Sequence, residues 1–306
     1  MNVPLVVLIV LDGWGIAPSG EGNAVSGEHI PNFNKFWHGY PHTSLSASGE
    51  SVGLPRGEAG NTETGHLNLG AGRIIYQDLL RINVSIAEGS FFKNTAFLDA
   101  INHSKKNNAN LHLLGLVGGG SVHSNIEHLY ALLHLCKEKQ FTSVFLHLFT
   151  DGRDSPPTAA ANYISQIEKH LKEIGLGTIA SVMGRYWAMD RDQHWDRTQK
   201  CYDALTQGTG KLVTNIQDAI EASYKEGIMD EFINPILVTK DNLPLALIKE
   251  NDSVIFYNFR IDRPRQLSRA FVFEDLQRES SALQVDFDPY AVKYKKSHLS
   301  KSPEEI

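Results

Sequence analysis

The chain has 306 residues, of which 42% are hydrophobic and 21% charged, and its formal net charge is −6. These figures describe a globular protein with room for one large or two medium domains. The acidic balance argues against a general nucleic-acid binder, which would carry a basic surplus, so any positive site must be local.

The first apolar run, from Val3 to Leu11, has no cationic segment ahead of it and no cleavage-site pattern. It is too short to cross a membrane, so neither a membrane nor a nucleic acid is expected as a partner. Cys136 and Cys201 lie far apart, without metal-type or redox spacing, and are expected as buried free thiols of a cytoplasmic protein.

Short apolar runs then alternate with longer helix-patterned stretches. In chain order, periodicity predicts a strand over 5–11, helices over 32–38, 75–87 and 94–105, a strand over 111–117, and a helix over 125–140. A strand over 143–149, a helix over 157–174, a strand over 178–183, and helices over 194–206 and 216–226 follow. Strands over 236–239 and 253–259 and a helix over 263–273 complete the pattern. Pro157 suits a helix start, and Gly175 and Gly208 suit positions just past helix ends. Such alternation implies an α/β fold, with a parallel sheet covered by helices on both faces. From about Asp286 the chain turns polar and weakly patterned, as expected of a segment whose partner is absent or of a frayed terminus.

In open α/β sheets, ligands bind beyond the carboxyl ends of the strands, and this chain places its most reactive residues there. The strand over 5–11 ends in Asp12-Gly13-Trp14-Gly15. That over 111–117 leads to His123, and that over 143–149 to Asp151-Gly152-Arg153-Asp154. The strand over 178–183 leads to Arg185 and Arg191, and the strand over 253–259 to Arg260 and Arg263. Arginine matches carboxylate and phosphate through its planar fork of donors, and an aspartate among arginines can bind hydroxyls or move protons. A small, multiply charged anion and phosphoryl transfer are the chemistry implied. The run from Ala59 to Asn68 sets the Thr62 hydroxyl in a glycine-flanked turn just ahead of a helix. That is a place to hold or receive a phosphoryl group, or equally an ordinary helix cap.

Six motifs carry a family resemblance: LDGWG at 11–15, GNTETGHLNLGAGR at 60–73, VHS at 122–124, TDGRDSPP at 150–157, GRYWAMDRD at 184–192 and NFRIDRPRQ at 258–266. In these the chain resembles the 2,3-bisphosphoglycerate-independent (cofactor-independent) phosphoglycerate mutases, of the alkaline-phosphatase superfamily. The match runs through essentially the whole chain, and through about the first half of the family's pattern.

The resemblance implies a parallel-sheet phosphotransferase domain inserted in an incomplete alkaline-phosphatase-like α/β domain. Residues 1–76 would be the N-terminal piece of the metal-binding domain, 77–290 the phosphotransferase domain, and 291–306 the start of the return segment. The family interconverts 3-phosphoglycerate and 2-phosphoglycerate in glycolysis through a phosphoenzyme, with two divalent ions, usually Mn2+ or else Mg2+. Carried over, Asp12 is a metal ligand, and Thr62 is both metal ligand and catalytic nucleophile. Asp154 is the group that exchanges protons with the glycerate hydroxyls. His123, Arg153, Asp154, Arg185, Arg191, Arg260 and Arg263 match the substrate-binding positions.

The sequence departs from the family where Thr62 replaces the nucleophilic serine, and Ala59 and Thr64 also differ. The extra methyl of threonine stiffens χ1 and crowds the attack, which predicts a slower transfer. The family's remaining metal ligands belong to a C-terminal half beyond the matched motifs. This chain alone is therefore expected to be a poor mutase; an incomplete gene, a split protein with a separately encoded C-terminal half, and a piece cut from a longer chain are the alternatives. Two other readings are a non-catalytic phosphoglycerate-binding fragment and a phosphatase or phosphomutase for another substrate. The arginines and DGRD argue against the last, because they match the mutase insert.

Overall fold

A computed structural model describes residues 5–25 and 30–273. The expectations for 286–306, including the return segment at 291–306, lie outside those residues. The chain divides into two compact units, Met1–Ser85 and Ile86–Ile306.

The first unit contains helices α1 (Pro31–Gly39) and α2 (Thr62–Ala71), and α3 (Asp78–Ala87) starts within it. Trp14, Phe33, Trp37 and His42 stack in sequence, at 5.2, 5.9 and 4.1 Å between ring centroids, and fix α1 against the 12–15 turn. The strand expected over 5–11 is not formed. The segment is unpaired, with Leu5 90% and Val6 84% exposed. A strand needs a neighbour to take its ladder hydrogen bonds, and the described residues of this unit contain no strand to do so. In α2 the apolar residues are spread around the axis, yet only Thr64 is buried. A helix of that pattern is normally enclosed on all sides.

The second unit is built on a seven-stranded sheet: β1 (Leu111–Val117), β2 (Val144–Thr150), β3 (Thr178–Gly184), β4 (Lys211–Val213), β5 (Ile236–Lys240), β6 (Leu243–Pro244) and β7 (Ser253–Phe256). The order is β4-β5-β3-β2-β1-β7, with β6 paired to β5. Pairings from β3 through β2 and β1 to β7 are parallel, as is β4 with β5, whereas β5 runs antiparallel to β3. The fold is thus mixed α/β with a mostly parallel sheet.

The parallel sheet expected from the sequence is formed from β3 through β2 and β1 to β7, with β5 inverted beside β3, and the cause of the inversion lies in the preceding turn. The Thr150 hydroxyl donates to Asp230 O (2.6 Å), and Gly184 N donates to Ile233 O (2.8 Å). The turn is therefore pinned at the carboxyl ends of β2 and β3, so the strand leaving it must run back down the sheet. The short strands β4 and β6 were not expected. At three and two residues they carry no readable alternation.

All seven residues of β1 and six of seven in β2 are buried, as in sheets covered on both faces. Helices α8 (Trp195–Gln207) and α10 (Pro264–Val272) close one face through Cys201, Leu205, Leu267 and Ala270 against Leu114, Leu116, Phe149 and Met183. Helices α4 (Thr95–Asn107), α5 (Ile126–Glu138), α6 (Ala160–Ile174) and α9 (Ile216–Lys225) bury apolar stripes of their own, and α7 (Arg185–Ala188) is a single turn directly after β3. Gly175 and Gly208 cap α6 and α8 in the left-handed conformation, as expected. Helix α6 begins at Ala160, not at Pro157. Its first amides, Ala159 N and Ala160 N, donate to the Asp230 carboxylate at 2.9 Å, a cap supplied from 70 residues away. Cys136 and Cys201 are free and buried. Among the described residues, no helix is long and apolar enough to cross a membrane.

Candidate active site

In the first unit, Gly13 turns the chain with φ +77° and leaves Asp12 beside the start of α2. Gly60 lies so close to Ala47 O that a Cβ would stand 1.7 Å from it, so only glycine fits. Asn61 caps α2, accepting from Thr64 N at 2.9 Å and completing a capping box with Thr64. The cap role is thereby filled, and Thr62 becomes the first helical residue with its hydroxyl released. That hydroxyl donates to Asp12 Oδ2 at 3.0 Å, at the edge of a cavity of about 400 Å³ that His66 also lines.

In the second unit, strand register builds the site. Val117 is level with Thr150, and Thr150 with Gly184, so the segments after β1, β2 and β3 leave the sheet side by side. The chain after β7 joins them: Asn258 Oδ1 accepts from Leu116 N at 2.9 Å, and Arg260 N donates to His123 O at 3.3 Å. Gly120 passes so near Asp154 that a Cβ would lie 2.3 Å from its carbonyl oxygen.

On this rim, acids and guanidinium groups interleave. Arg185, 3% exposed, donates from Nη1 to Asp151 Oδ1 at 2.5 Å and to Asp154 Oδ2 at 2.6 Å. Asp151 in turn accepts from Asp154 N and Ser155 Oγ. Arg191 reaches Asp262 Oδ2 at 2.6 Å, and Arg260 Nε lies 3.3 Å from Asp262 Oδ1. His123 stands between two carboxylates, Nε2 at 3.8 Å from Asp154 and Nδ1 at 3.7 Å from Asp262. Arg263 donates to Met189 O at 3.1 Å, and the exposed Arg153 faces Glu231 at 3.5 Å. Arg153, Arg185, Arg263, Arg197, Asp190 and Glu231 are among the residues around a small, partly open cavity of about 50 Å³.

The electrostatics follow from this arrangement. Burial, seconded by the Arg185 charge, pushes the His123 imidazole down to about 4, against the opposing pull of Asp262 and Asp154, so it is neutral at pH 7. Burial would raise Asp154, but the hydrogen bond and charge of Arg185 outweigh it and hold the carboxyl below its ordinary range. Asp262 is held down in the same way by Arg191 and Arg260 against burial. Arg263 is lowered by burial and then by Arg185, Arg191 and Arg153, a sign of crowded positive charge. Six buried side-chain polar atoms among the described residues lack a hydrogen-bond partner. Four of them, His123 Nδ1, Arg185 Nε, Arg263 Nε and Asp262 Oδ1, are here. Native interiors rarely tolerate such atoms, and their concentration marks a surface built for a polar ligand.

The family described as BPG-independent PGAM N-terminus matches residues 82–295. The chain belongs to the BPG-independent phosphoglycerate mutases. A 2,3-bisphosphoglycerate-independent phosphoglycerate mutase from Moorella thermoacetica is 50% identical over 290 residues, 94% of this chain and 56% of that relative. One from Clostridium kluyveri is 52% identical over 277 residues, 90% of this chain and 54% of the relative. Among solved structures, Leishmania mexicana phosphoglycerate mutase at low cobalt concentration matches with TM-score 0.67 and 29% identity, covering 87% of this chain and 50% of that one. The chain spans about half the length of the curated relatives it matches.

Phosphoglycerate mutases of this family are metal-dependent isomerases. Asp12 and Thr62 offer oxygen donors of the type hard divalent ions take, but two side chains are a partial set. Among the described residues, Asp190, Asp192 and His194 form the group with metal-ligand spacing, their ligand atoms within 4.8 Å of one another. Asp190 is already engaged: its oxygens accept from His194 Nδ1 (3.0 Å), Arg197 Nη1 (3.3 Å), Gln266 Nε2 (2.9 Å), and the amides of Asp192 and His194. A cation there would compete with those donors.

Of the seven residues expected at the substrate site, His123, Asp154, Arg185, Arg191, Arg260 and Arg263 share one rim, with Arg153 at its exposed border. Asp151, Asp190, Arg197, Glu231 and Asp262 sit among them and were assigned no role from the sequence. The available signal was acids alternating with arginines in DGRD, DRD and RIDR. Arginines with an aspartate among them were expected around a small anion, and more acids than Asp154 share the rim. The rim is charge-interleaved because guanidinium groups this close need anions between them.

Proposed function

We propose that this chain is the phosphoglycerate-handling part of a mutase that interconverts 3-phosphoglycerate and 2-phosphoglycerate through a phosphoenzyme at Thr62. The observation that carries the reading is the convergence of His123, Asp154, Arg185, Arg191 and Arg260 with buried unpartnered polar atoms on one sheet edge. The arginines bind carboxylate and phosphoryl oxygens, and Asp154, ionised beside Arg185, takes a proton from a glycerate hydroxyl and returns it. Thr62 carries the phosphoryl group between the two oxygens of glycerate, and its hydrogen bond to Asp12 turns its proton away from the incoming phosphorus. Asp12 and Thr62 would be ligands of one of two divalent ions, Mn2+ or Mg2+, which when bound acidify the hydroxyl and neutralise charge on the transferred group.

Residues 1–76 are then a piece of the metal-binding domain, 77–290 the phosphotransferase domain, and 291–306 the return segment, in a cytoplasmic glycolytic enzyme. The partial donor set at Asp12 implies that the other metal ligands belong to the part of the relatives' length that this chain does not span. It also favours the second reading, a fragment that binds phosphoglycerate without turning it over.

Titration calorimetry with 3-phosphoglycerate, paired with a manganese-dependent mutase assay, tests both readings. Binding with turnover, unaided or after the C-terminal half is added, supports the mutase. Binding that never leads to turnover leaves the fragment, and no binding at all overturns both.

A further inference from the structure

His123 is flanked by two acceptors and has one proton to give. A neutral imidazole carries a single N–H, and which nitrogen bears it is set by the partner of the other. Asp154 Oδ2 faces Nε2 at 3.8 Å, and Asp262 Oδ1 faces Nδ1 at 3.7 Å. Both carboxyls are held in the ionised form by neighbouring arginines, so neither can donate to the ring.

The two sides are not equivalent. Asp154 Oδ2 already accepts a 2.6 Å hydrogen bond from Arg185. Asp262 Oδ1 and His123 Nδ1, in contrast, are both buried and both without a hydrogen-bond partner, although Arg260 Nε lies 3.3 Å from that oxygen. The Arg191 bond to the other oxygen, Oδ2, anchors the Asp262 side chain, and the bond from Arg260 N to His123 O ties the two loops together. An unmatched donor position and an unmatched acceptor thus look at each other across a gap that a small rotation closes. Such contacts commonly tighten when ligand binds.

We propose that Asp262 is a positioning residue that holds His123 as its Nδ1–H tautomer, leaving Nε2 as a proton acceptor beside Asp154. Nε2 and Asp154 then form a pair of acceptors that only a donor can satisfy, and the donor of fitting class is a free hydroxyl of a phosphorylated hydroxy acid. Asp262 selects for that hydroxyl without touching the ligand. This inference rests on the proposed phosphoglycerate site.

The test has two arms on the full 306-residue chain. In the first, 15N-resolved NMR of the His123 ring reads the tautomer. Protonated Nδ1 in the wild type, shifting toward protonated Nε2 in Asp262→Ala, is expected. Protonated Nε2 in the wild type overturns the proposal whether or not the variant folds. In the second arm, calorimetry compares 3-phosphoglycerate with 2-phosphoglycolate, which keeps phosphate and carboxylate but has no hydroxyl. Asp262→Ala is expected to weaken phosphoglycerate about tenfold and phosphoglycolate hardly at all. Equal losses on both ligands overturn it, because they reveal only a loosened arginine frame. A wild-type chain that binds neither ligand defeats the phosphoglycerate reading, while the tautomer still decides the role of Asp262.

Discussion

Arg185 is almost shut off from water, and it places one nitrogen between Asp151 and Asp154. Asp151 is itself 1% exposed, so deleting Arg185 strands a buried carboxylate. Arg185→Ala is expected to cost about 3–5 kcal/mol of stability, read from urea denaturation. Arg191 presents the opposite case. Its side chain is 45% exposed and contributes little to the fold. Arg191→Ala should leave the urea midpoint nearly unchanged and weaken 3-phosphoglycerate binding by about 1.5 kcal/mol or more by calorimetry, as for loss of a charge-assisted hydrogen bond. Unchanged affinity would remove Arg191 from the site. The arginines and Asp154 could be read from their positions after apolar runs. Asp151 and Asp262 could not be assigned tasks, because an acid's task depends on which cation its loop brings alongside.

Helix α6 shows the same limit among elements. Its span was nearly legible from periodicity, but its N-terminal amides are satisfied by Asp230, whose other oxygen also accepts from the Tyr224 hydroxyl. Asp230→Ala should therefore behave as loss of a cap plus an orphaned hydroxyl, about 2 kcal/mol in thermal or urea unfolding. A loss confined to a few tenths of a kcal/mol would mean that water replaces the carboxylate freely. The run over 5–11 has the composition of a buried strand and forms none. Composition shows that a segment suits a sheet, but only a neighbouring strand makes it one. Limited proteolysis should accordingly cut between Val6 and Leu11 well before any site in β1 or β2, and equal protection there would contradict the observed exposure.

Acidity acts on the molecule as a whole. His123 and His128 are pushed down to about 4 in the folded chain, chiefly by burial, and burial also lowers His112 and His147. The last two lie in a buried chain from Ser181 through His147 and His112 to Asp252, with links of 2.8, 2.9 and 3.1 Å. Well above pH 6.5 these four histidines hold no proton in either the folded or the unfolded chain, and their contribution to stability is complete. Below it the unfolded chain takes up protons that the folded chain refuses. Stability therefore falls from pH 6.5 toward 4, by up to about 3 kcal/mol each for His123 and His128. Urea midpoints at pH 7, 5.5 and 4.5 check this, and a flat profile would contradict it. Metal binding is a second whole-molecule property. Manganese titration of the isolated chain should show no pair of tight sites, and adding the C-terminal half should create them. Two tight sites on the chain alone would refute the reading that its metal site is incomplete.

What the sequence determined by itself was the alternation of strand and helix, the helix-capping glycines, the free thiols, and the residue types delivered to the strand ends. Each of these is written locally, in periodicity, turn chemistry and composition. Tertiary structure alone decided the inverted β5, the borrowed cap on α6, the unpaired run at 5–11, and the pairing of each arginine with its acid. Those outcomes are contacts between residues tens of positions apart, and no local preference encodes which distant group will occupy the facing position.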